Sequence, residues 1–473
     1  MNGVRSIAIN TISLSIAEII TKISQFLIFV FIARSLGNAI FGRFNFAYAF
    51  SIIAVVFMDI GINYMLVRDI SKNKNLVNKF IVNSFLIKIL LSLIVFIIVY
   101  FILNAANYPT ETRLLIYILV FFALFKSFTE LIFSVFKAYE AMYYEAFLKS
   151  LRMILTLIFG LLILNIYKNI MLLAAIFLLI EAIIFILSLF IALLKFVEIK
   201  FSFDYNFSKN IIKKAFPFSL SMIFAGIDFY IDSIMLSVMK GDSAVGTYSA
   251  AYNLTLAILF IPGMYIFAIY PVISKNFDKS KEIAILIYER SFKYLYIIGL
   301  PISIGFFLLA RNIILFVYGK EFFASVIVLK LVSWFVFIKF ISYLTGIMLS
   351  VQVQHLRALS QGVTAVLNLI LNFLLIPKYS YIGAGIATLI SELVLFILTF
   401  IFVSKHFHIF NVFKILYKPL IAVSIMSLVI IFLKMNMFVL ILIGAVVYFT
   451  ILFLLKTFDK RDYLLMKRLI KSQ

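Results

Sequence analysis

The chain has 473 residues, 65% of them hydrophobic, and carries 13% charge where a soluble domain carries about 25%. A mean hydropathy of +1.17 excludes a water-soluble enzyme, a disordered chain and a nucleic-acid-binding domain, even though 42 Lys and Arg against 20 Asp and Glu leave a net charge of +22. Cysteine is absent, which removes disulfides, thiol chemistry and Cys-ligated zinc.

A bilayer-spanning helix needs roughly 20 apolar residues. Stretches of that kind predict helices over 7–33, 39–66, 79–104, 112–136, 146–166, 169–194, 215–238 and 244–272, then over 290–312, 325–350, 358–376, 382–404, 413–433 and 437–456. The runs are long and continuous, whereas barrel strands would be short and alternating. The opening MNGVRSIAINTISLSIAE lacks a small-residue cleavage pattern and reads as a retained first helix. The connections are too short for a sizeable soluble domain. The expected fold class is an all-α polytopic membrane protein of about 14 transmembrane helices.

Charge orients these helices. With the N-terminus inside, 28 of the 42 basic residues fall in inner segments, 9 in outer ones and five (Lys22, Lys88, Lys126, Lys330 and Lys339) within helices. One helix more or fewer would scramble this bias, so both termini are expected in the cytoplasm and the chain in the cytoplasmic membrane. Most of the excess charge then serves orientation and attraction to membrane lipids.

An internal repeat organises the chain. GNAIFGRFNFAY at 37–48 aligns without gaps with GDSAVGTYSAAY at 241–252, pairing Gly37 with Gly241, Gly42 with Gly246 and Tyr48 with Tyr252. AAIFLLI at 174–180 echoes AGIATLI at 384–390. Each copy begins the second helix of a six-helix block, and six is even. Two parallel lobes are therefore expected, 1–205 and 206–412, followed by two extra helices and a basic tail over 413–473.

GNAIFGRFNFAYAF (37–50), DIGINYMLVRDIS (59–71), DSIMLSVMKGDSAVGTYSAAYNL (232–254), YPVIS (270–274) and NLILNFLLIPKYSYIGAGIATLISE (368–392) stand in this order along the chain. Together they resemble the multidrug/oligosaccharidyl-lipid/polysaccharide (MOP) exporter superfamily, in particular its Wzx-type polysaccharide flippases. Ser380 replaces the Gly usual after Lys-Tyr, and Gly385 replaces a usual Ala. The resemblance implies two six-helix lobes around a central cavity, alternating access, and a polyprenyl- or dolichyl-phosphate-linked glycan as cargo.

A charge at the bilayer centre costs about 2.5–3.5 kcal/mol on insertion scales, so those retained should face protein or an aqueous cavity. In the first helix Thr11, Ser15, Glu18, Lys22 and Gln25 form one polar face, and the fourth repeats the pattern with Lys126 and Glu130. Lys22, Lys126 and Lys339, with Gln25, Tyr48 and Tyr252, are candidate cavity residues that would attract a lipid phosphate. Glu18 and Glu130, one turn from Lys22 and Lys126, favour local ion pairs, and mutual neutralisation inside a lobe is the competing reading. Asp228 and Asp232, four apart, are candidates for a proton or sodium coupling site, or for hydrogen bonds to neighbouring helices. Asp59 and Arg68 are expected to form a structural salt bridge. Glu181 and Glu392 fit either lobe packing or cavity, and no metal-ligand spacing exists around His355, His406 or His408.

The resulting reading is a non-enzymatic, cofactor-free flippase for a lipid-linked oligosaccharide. It is expected to be monomeric, with membrane lipids and glycan-assembly enzymes as partners and no nucleic acid. An organic-cation antiporter of the same superfamily would use the acidic pair instead, but the intramembrane lysines would repel its substrate. A membrane glycosyltransferase or polymerase needs carboxylates in sizeable outer loops, and these loops hold only Glu111, Asp242 and Glu321.

Overall fold

The structure, a computed structural model, describes residues 3–198, 200–277, 280–459 and 462. The side chains of Arg5, Thr11 and Lys275 lie outside the described part, as do Lys279, Lys460, Arg461, Lys467, Arg468 and Lys471. Among the described residues there is no strand. The helices are α1 (Gly3–Asp59), α2 (Ile62–Lys72), α3 (Val77–Ala105), α4 (Thr110–Ala138), α5 (Met142–Ile166), α6 (Ile170–Lys195) and α7 (Tyr205–Lys240). They continue as α8 (Asp242–Ile258), α9 (Phe260–Phe277), α10 (Lys281–Val317), α11 (Ser325–Gln352), α12 (Gln354–His406), α13 (Phe413–Phe432) and α14 (Met437–Leu454).

Among the described residues, twelve segments are long and apolar enough to cross a membrane. Two of them, 48 and 53 residues long, far exceed what a bilayer requires, and each is broken: α1 at Gly37 and α12 at Ser380. Each therefore supplies two crossings. The break at Gly37 has φ 80° and ψ 175°. Gly241, its partner in the repeat, ends α7 with φ 81° and ψ −179°. The two repeat copies thus share the backbone geometry that starts their second helix, a left-handed φ that glycine takes without strain.

Several boundaries differ from the sequence expectation. The second predicted helix stops at Asp59, because Ile60 (φ 41°) and Gly61 (φ 77°) make an elbow that folds α2 back as a separate amphipathic helix. A Cβ on Gly61 would stand 2.8 Å from the Ala215 carbonyl, so only glycine lets α2 approach α7. The eighth predicted helix divides at Leu259 into α8 and α9. Pro262 then falls in the first turn of α9, where its missing N–H leaves little unsatisfied. Both α5 and α7 start before their predicted points, since their first turns are polar and carry no hydropathy signal.

Two compact units result. One comprises 1–249 and 372–380, the other 250–371 and 381–473. In the first, α1 and α5 lie side by side and run the same way: the Asn10 side-chain oxygen accepts from the Met142 N–H at 3.1 Å, and Gly160 leaves room for Ile28 eighteen residues further along each helix. In the second, α10 packs on α11 and α13, with the Tyr448 hydroxyl donating to the Ile297 carbonyl at 2.9 Å. Between membrane helices, packing and such polar contacts replace the hydrophobic drive of soluble cores.

Candidate functional site

The first unit gathers a cluster of charges on three adjacent helices. On α4, Lys126, Glu130 and Lys137 follow at intervals of four and seven, a single stripe. On α5, Glu145, Lys149 and Arg152 follow at intervals of four and three, and α6 contributes Glu181. Glu145 is buried and forms ion pairs with Lys149 at 2.6 Å and Lys137 at 3.2 Å. Arg152 reaches the fully buried Glu181 at 3.2 Å.

Lys126 and Glu130 do not pair with each other, contrary to the expectation from their spacing. Among the described residues neither has an opposite charge within 4.0 Å. Lys126 instead holds its ammonium over the Phe122 ring at 5.8 Å, a favourable cation–π arrangement. The reason is competition: Glu130 sits in the combined field of Lys149, Lys137 and Arg152 as well as Lys126. Lys126 is balanced between Arg152 on one side and Glu181 and Glu130 on the other. Four cations thus face three carboxylates. Tyr48, half-buried, shares the field of Arg152 and Glu181 and packs edge-on against Phe29 at 5.4 Å.

On α1, Lys22 and Glu18 stand 3.7 Å apart with side chains 42% and 45% exposed. This is a loose contact, worth little in water. Gln25 is half-buried one turn on. The stripe of polar residues is present from Ser15 to Gln25.

Asp59 and Arg68 do not pair as expected. The elbow at Ile60 and Gly61 turns Arg68 away, and it binds neighbouring Asp69 at 2.8 Å. Asp59 pairs with Lys88 on α3 at 2.7 Å, the two side chains 1% and 0% exposed. Lys88 also donates to the Ser127 carbonyl and hydroxyl at 2.8 and 3.0 Å. Asp232 on α7 accepts from the Tyr248 hydroxyl at 2.6 Å and from the Asn372 amide at 2.5 Å. Asp228, one turn earlier, is half-buried.

In the second unit Lys339 is buried against Glu392 at 2.6 Å and lies over the Phe335 and Tyr343 rings. Tyr252 stacks at a tilt on the same Phe335, 5.9 Å between centroids. Of the candidate cations, Lys339 therefore has a full carboxylate partner and Lys22 a loose one, while Lys126 has none within 4.0 Å among the described residues. Sequence reasoning counted Lys149 and Arg152 with the inner-segment charges and left out Glu145, which precedes the predicted start of the fifth helix at 146. Their spacing of four and three was the available signal.

The family described as polysaccharide biosynthesis protein matches residues 7–277, more than half of the chain. An uncharacterized membrane protein of Methanocaldococcus jannaschii is 27% identical over 206 residues, a match spanning 42% of this chain and 41% of that protein. Among solved structures, the lipid II flippase MurJ in an inward closed conformation superposes with a TM-score of 0.78 at 19% identity, covering 93% of this chain and 98% of MurJ. A MATE-family multidrug resistance transporter in an inward-facing conformation gives 0.64 at 16% identity over 84% and 98%. A transporter from Pyrococcus furiosus gives 0.59 at 16% over 84% and 96%. The fold is the one that these three solved proteins share.

Proposed function

We propose that this chain, which belongs to the polysaccharide biosynthesis protein family, is a flippase that carries an oligosaccharide linked to a polyprenyl or dolichyl (pyro)phosphate across the cytoplasmic membrane. The observation that carries this reading is Lys126. An ammonium held within a membrane segment without a carboxylate at 4.0 Å among the described residues stays available to an arriving anion. A phosphate offers compact charge that an ammonium binds as a point charge. Arg152 and Lys149 add positive field around it.

Binding must also be reversible. Lys22 has Glu18 at 3.7 Å, near enough to neutralise it when cargo is absent and loose enough to yield to phosphate. Lys339, held by Glu392, would contribute only if cargo or a conformational change displaced that carboxylate. Asp228 and Asp232 are the groups we assign to coupling, by proton or sodium. Gln25, Tyr48 and Tyr252 supply polar edges for sugar hydroxyls. Alternating access by a monomer, with both termini inside and glycan-assembly enzymes on either face, completes the proposal.

The test is transport by the purified chain. Proteoliposomes are loaded with a fluorescent polyprenyl-diphosphate oligosaccharide, and its exposure to an external lectin is followed in time. The proposal expects exposure to be accelerated by the wild-type chain and lost in Lys126→Gln. Equal rates with and without protein, while an organic cation is exchanged for protons, would move the chain to the antiporter class.

A further inference from the structure

The charge excess of the first unit is not confined to its membrane interior. The stretches 62–80 and 198–216 hold eight basic residues and three acidic ones, and they converge on one end of the unit. All three carboxylates are taken. Asp69 binds Arg68 and Lys214 at 2.8 and 2.9 Å. Asp204 caps α7 through the Phe207 N–H and binds Lys79 at 2.7 Å. Glu198 contacts Lys200 at 3.6 Å. Exposed Lys72, Lys209 and Lys213 have no carboxylate within 4.0 Å among the described residues.

These lysines lie among aromatic rings turned outward. Phe201 is 80% exposed, Tyr205 69% and Phe216 58%, with Phe203 and Tyr64 beside them. In water such a display is unfavourable. At a membrane–water boundary, amphipathic rings and basic side chains are what the headgroup layer accommodates. Placement along the chain agrees: Lys209, Lys213 and Lys214 fall in the first three turns of α7, and no further Lys or Arg follows in that helix before Lys240.

The surface is also fastened to α3. The Asn78 side chain donates to the Lys200 carbonyl and accepts from the Lys200 N–H, at 2.8 and 3.0 Å. Asn83 donates to the Ser202 carbonyl at 2.9 Å and accepts from the Asp204 N–H at 3.0 Å. Two asparagines on α3 thereby tie Lys200, Ser202 and Asp204 to that helix, and the underside is sealed by Ile62, Leu66, Ile211 and Ala215. We propose that this end of the first unit, made of α2, the linker and the first turns of α7, is a docking surface for the headgroups of anionic phospholipids. Lys72, Lys209 and Lys213 would take the phosphates while the rings of Phe201, Phe203 and Tyr205 enter the interfacial layer. The inference does not depend on the nature of the transported cargo.

The experiment uses the full chain with its single tryptophan moved to the surface, Trp334→Phe with Phe203→Trp. It is placed in phosphatidylcholine bilayers carrying a minor fraction of brominated phosphatidylglycerol or brominated phosphatidylcholine. A lysine at a charged surface gains about fivefold in association, so the brominated anionic lipid should quench with an apparent association constant about fivefold or more above the zwitterionic one. That preference should vanish in Lys72→Gln/Lys209→Gln/Lys213→Gln and weaken in high salt, while quenching by the zwitterionic lipid stays unchanged. Equal quenching by both lipids, or a preference that survives the triple substitution, overturns the proposal.

Discussion

Gly42 lies directly on the backbone of Asp242 and Gly246, its own partner in the internal repeat. A Cβ on Gly42 would stand 1.8 Å from the Asp242 carbonyl oxygen and 2.6 Å from the Gly246 nitrogen; one on Gly246 would stand 2.1 Å from the Asn38 carbonyl. Charges fasten the contact. Arg43 donates to Asp242 at 2.9 Å and to Glu111 at 2.8 Å, and Asn38 donates to the hydroxyls of Ser243 and Thr247 at 3.1 Å. Equivalent segments of the two copies therefore hold each other.

Gly42→Ala must push these helices apart or deform them, an overpacking cost of about 1–3 kcal/mol. The expected result is a lower melting temperature in detergent and a slower disulfide in the Asn38→Cys/Ser243→Cys pair, introduced into a chain with no other cysteine. Unchanged melting together with unchanged cross-linking speaks against the contact.

Ser380 breaks α12 at φ 51° and ψ −132°, a conformation that costs a non-glycine residue of order 1–3 kcal/mol. Ser380→Gly relieves it, at a smaller cost in unfolded-state entropy. The variant should melt at a higher temperature, while Ser380→Val should melt lower. The reverse order would show that the hydroxyl, and not the backbone, matters here.

Asp59 and Lys88 form an ion pair that water does not reach. Removing one partner leaves a buried charge, so Lys88→Ala or Asp59→Ala should each cost about 3–5 kcal/mol. Replacing both with Lys88→Met/Asp59→Leu should recover much of the loss. A double variant no more stable than the singles would mean that the pair does more than neutralise itself.

Lys22 presents the opposite case. Its half-exposed contact with Glu18 is worth about 0–1 kcal/mol, so Lys22→Gln should leave yield and melting intact. Under the flippase reading it should still abolish glycan export in a complementation assay. Normal export by this variant removes Lys22 from the site.

Asp459 follows the last span and meets Arg290 at 2.7 Å. Burial raises its carboxyl, but Arg290, a backbone hydrogen bond from Asp462 and nearby Lys293 outweigh that and hold it at about 2. An unfolded Asp titrates near about 3.9. The folded value is the lower one, so its stabilising contribution is complete above about pH 4 and fades as pH falls toward about 2. The melting gap between wild type and Asp459→Asn should hold constant from pH 7 to about 4 and then close. A gap that widens on acidification would reverse the sign.

Hydropathy and spacing alone determined the helical class, the membrane-crossing segments, the repeat and the polar stripes of the first and fourth helices. Each of these depends on residues within a few turns of one another, through side-chain period and the cost of placing polar groups in lipid. The shared geometry of Gly37 and Gly241 shows how closely the repeat in the letters follows the repeat in the backbone. Ion-pair partners were decided only in three dimensions. Lys126 and Glu130 had ideal spacing, yet Lys149 and Arg152 on α5 and Lys137 further along α4 compete for the same carboxylate. Asp59 chose Lys88 over Arg68 because an elbow of two residues redirected the chain. Which charges meet depends on helix packing to within an ångström or two, and that is set by contacts between residues distant in the chain.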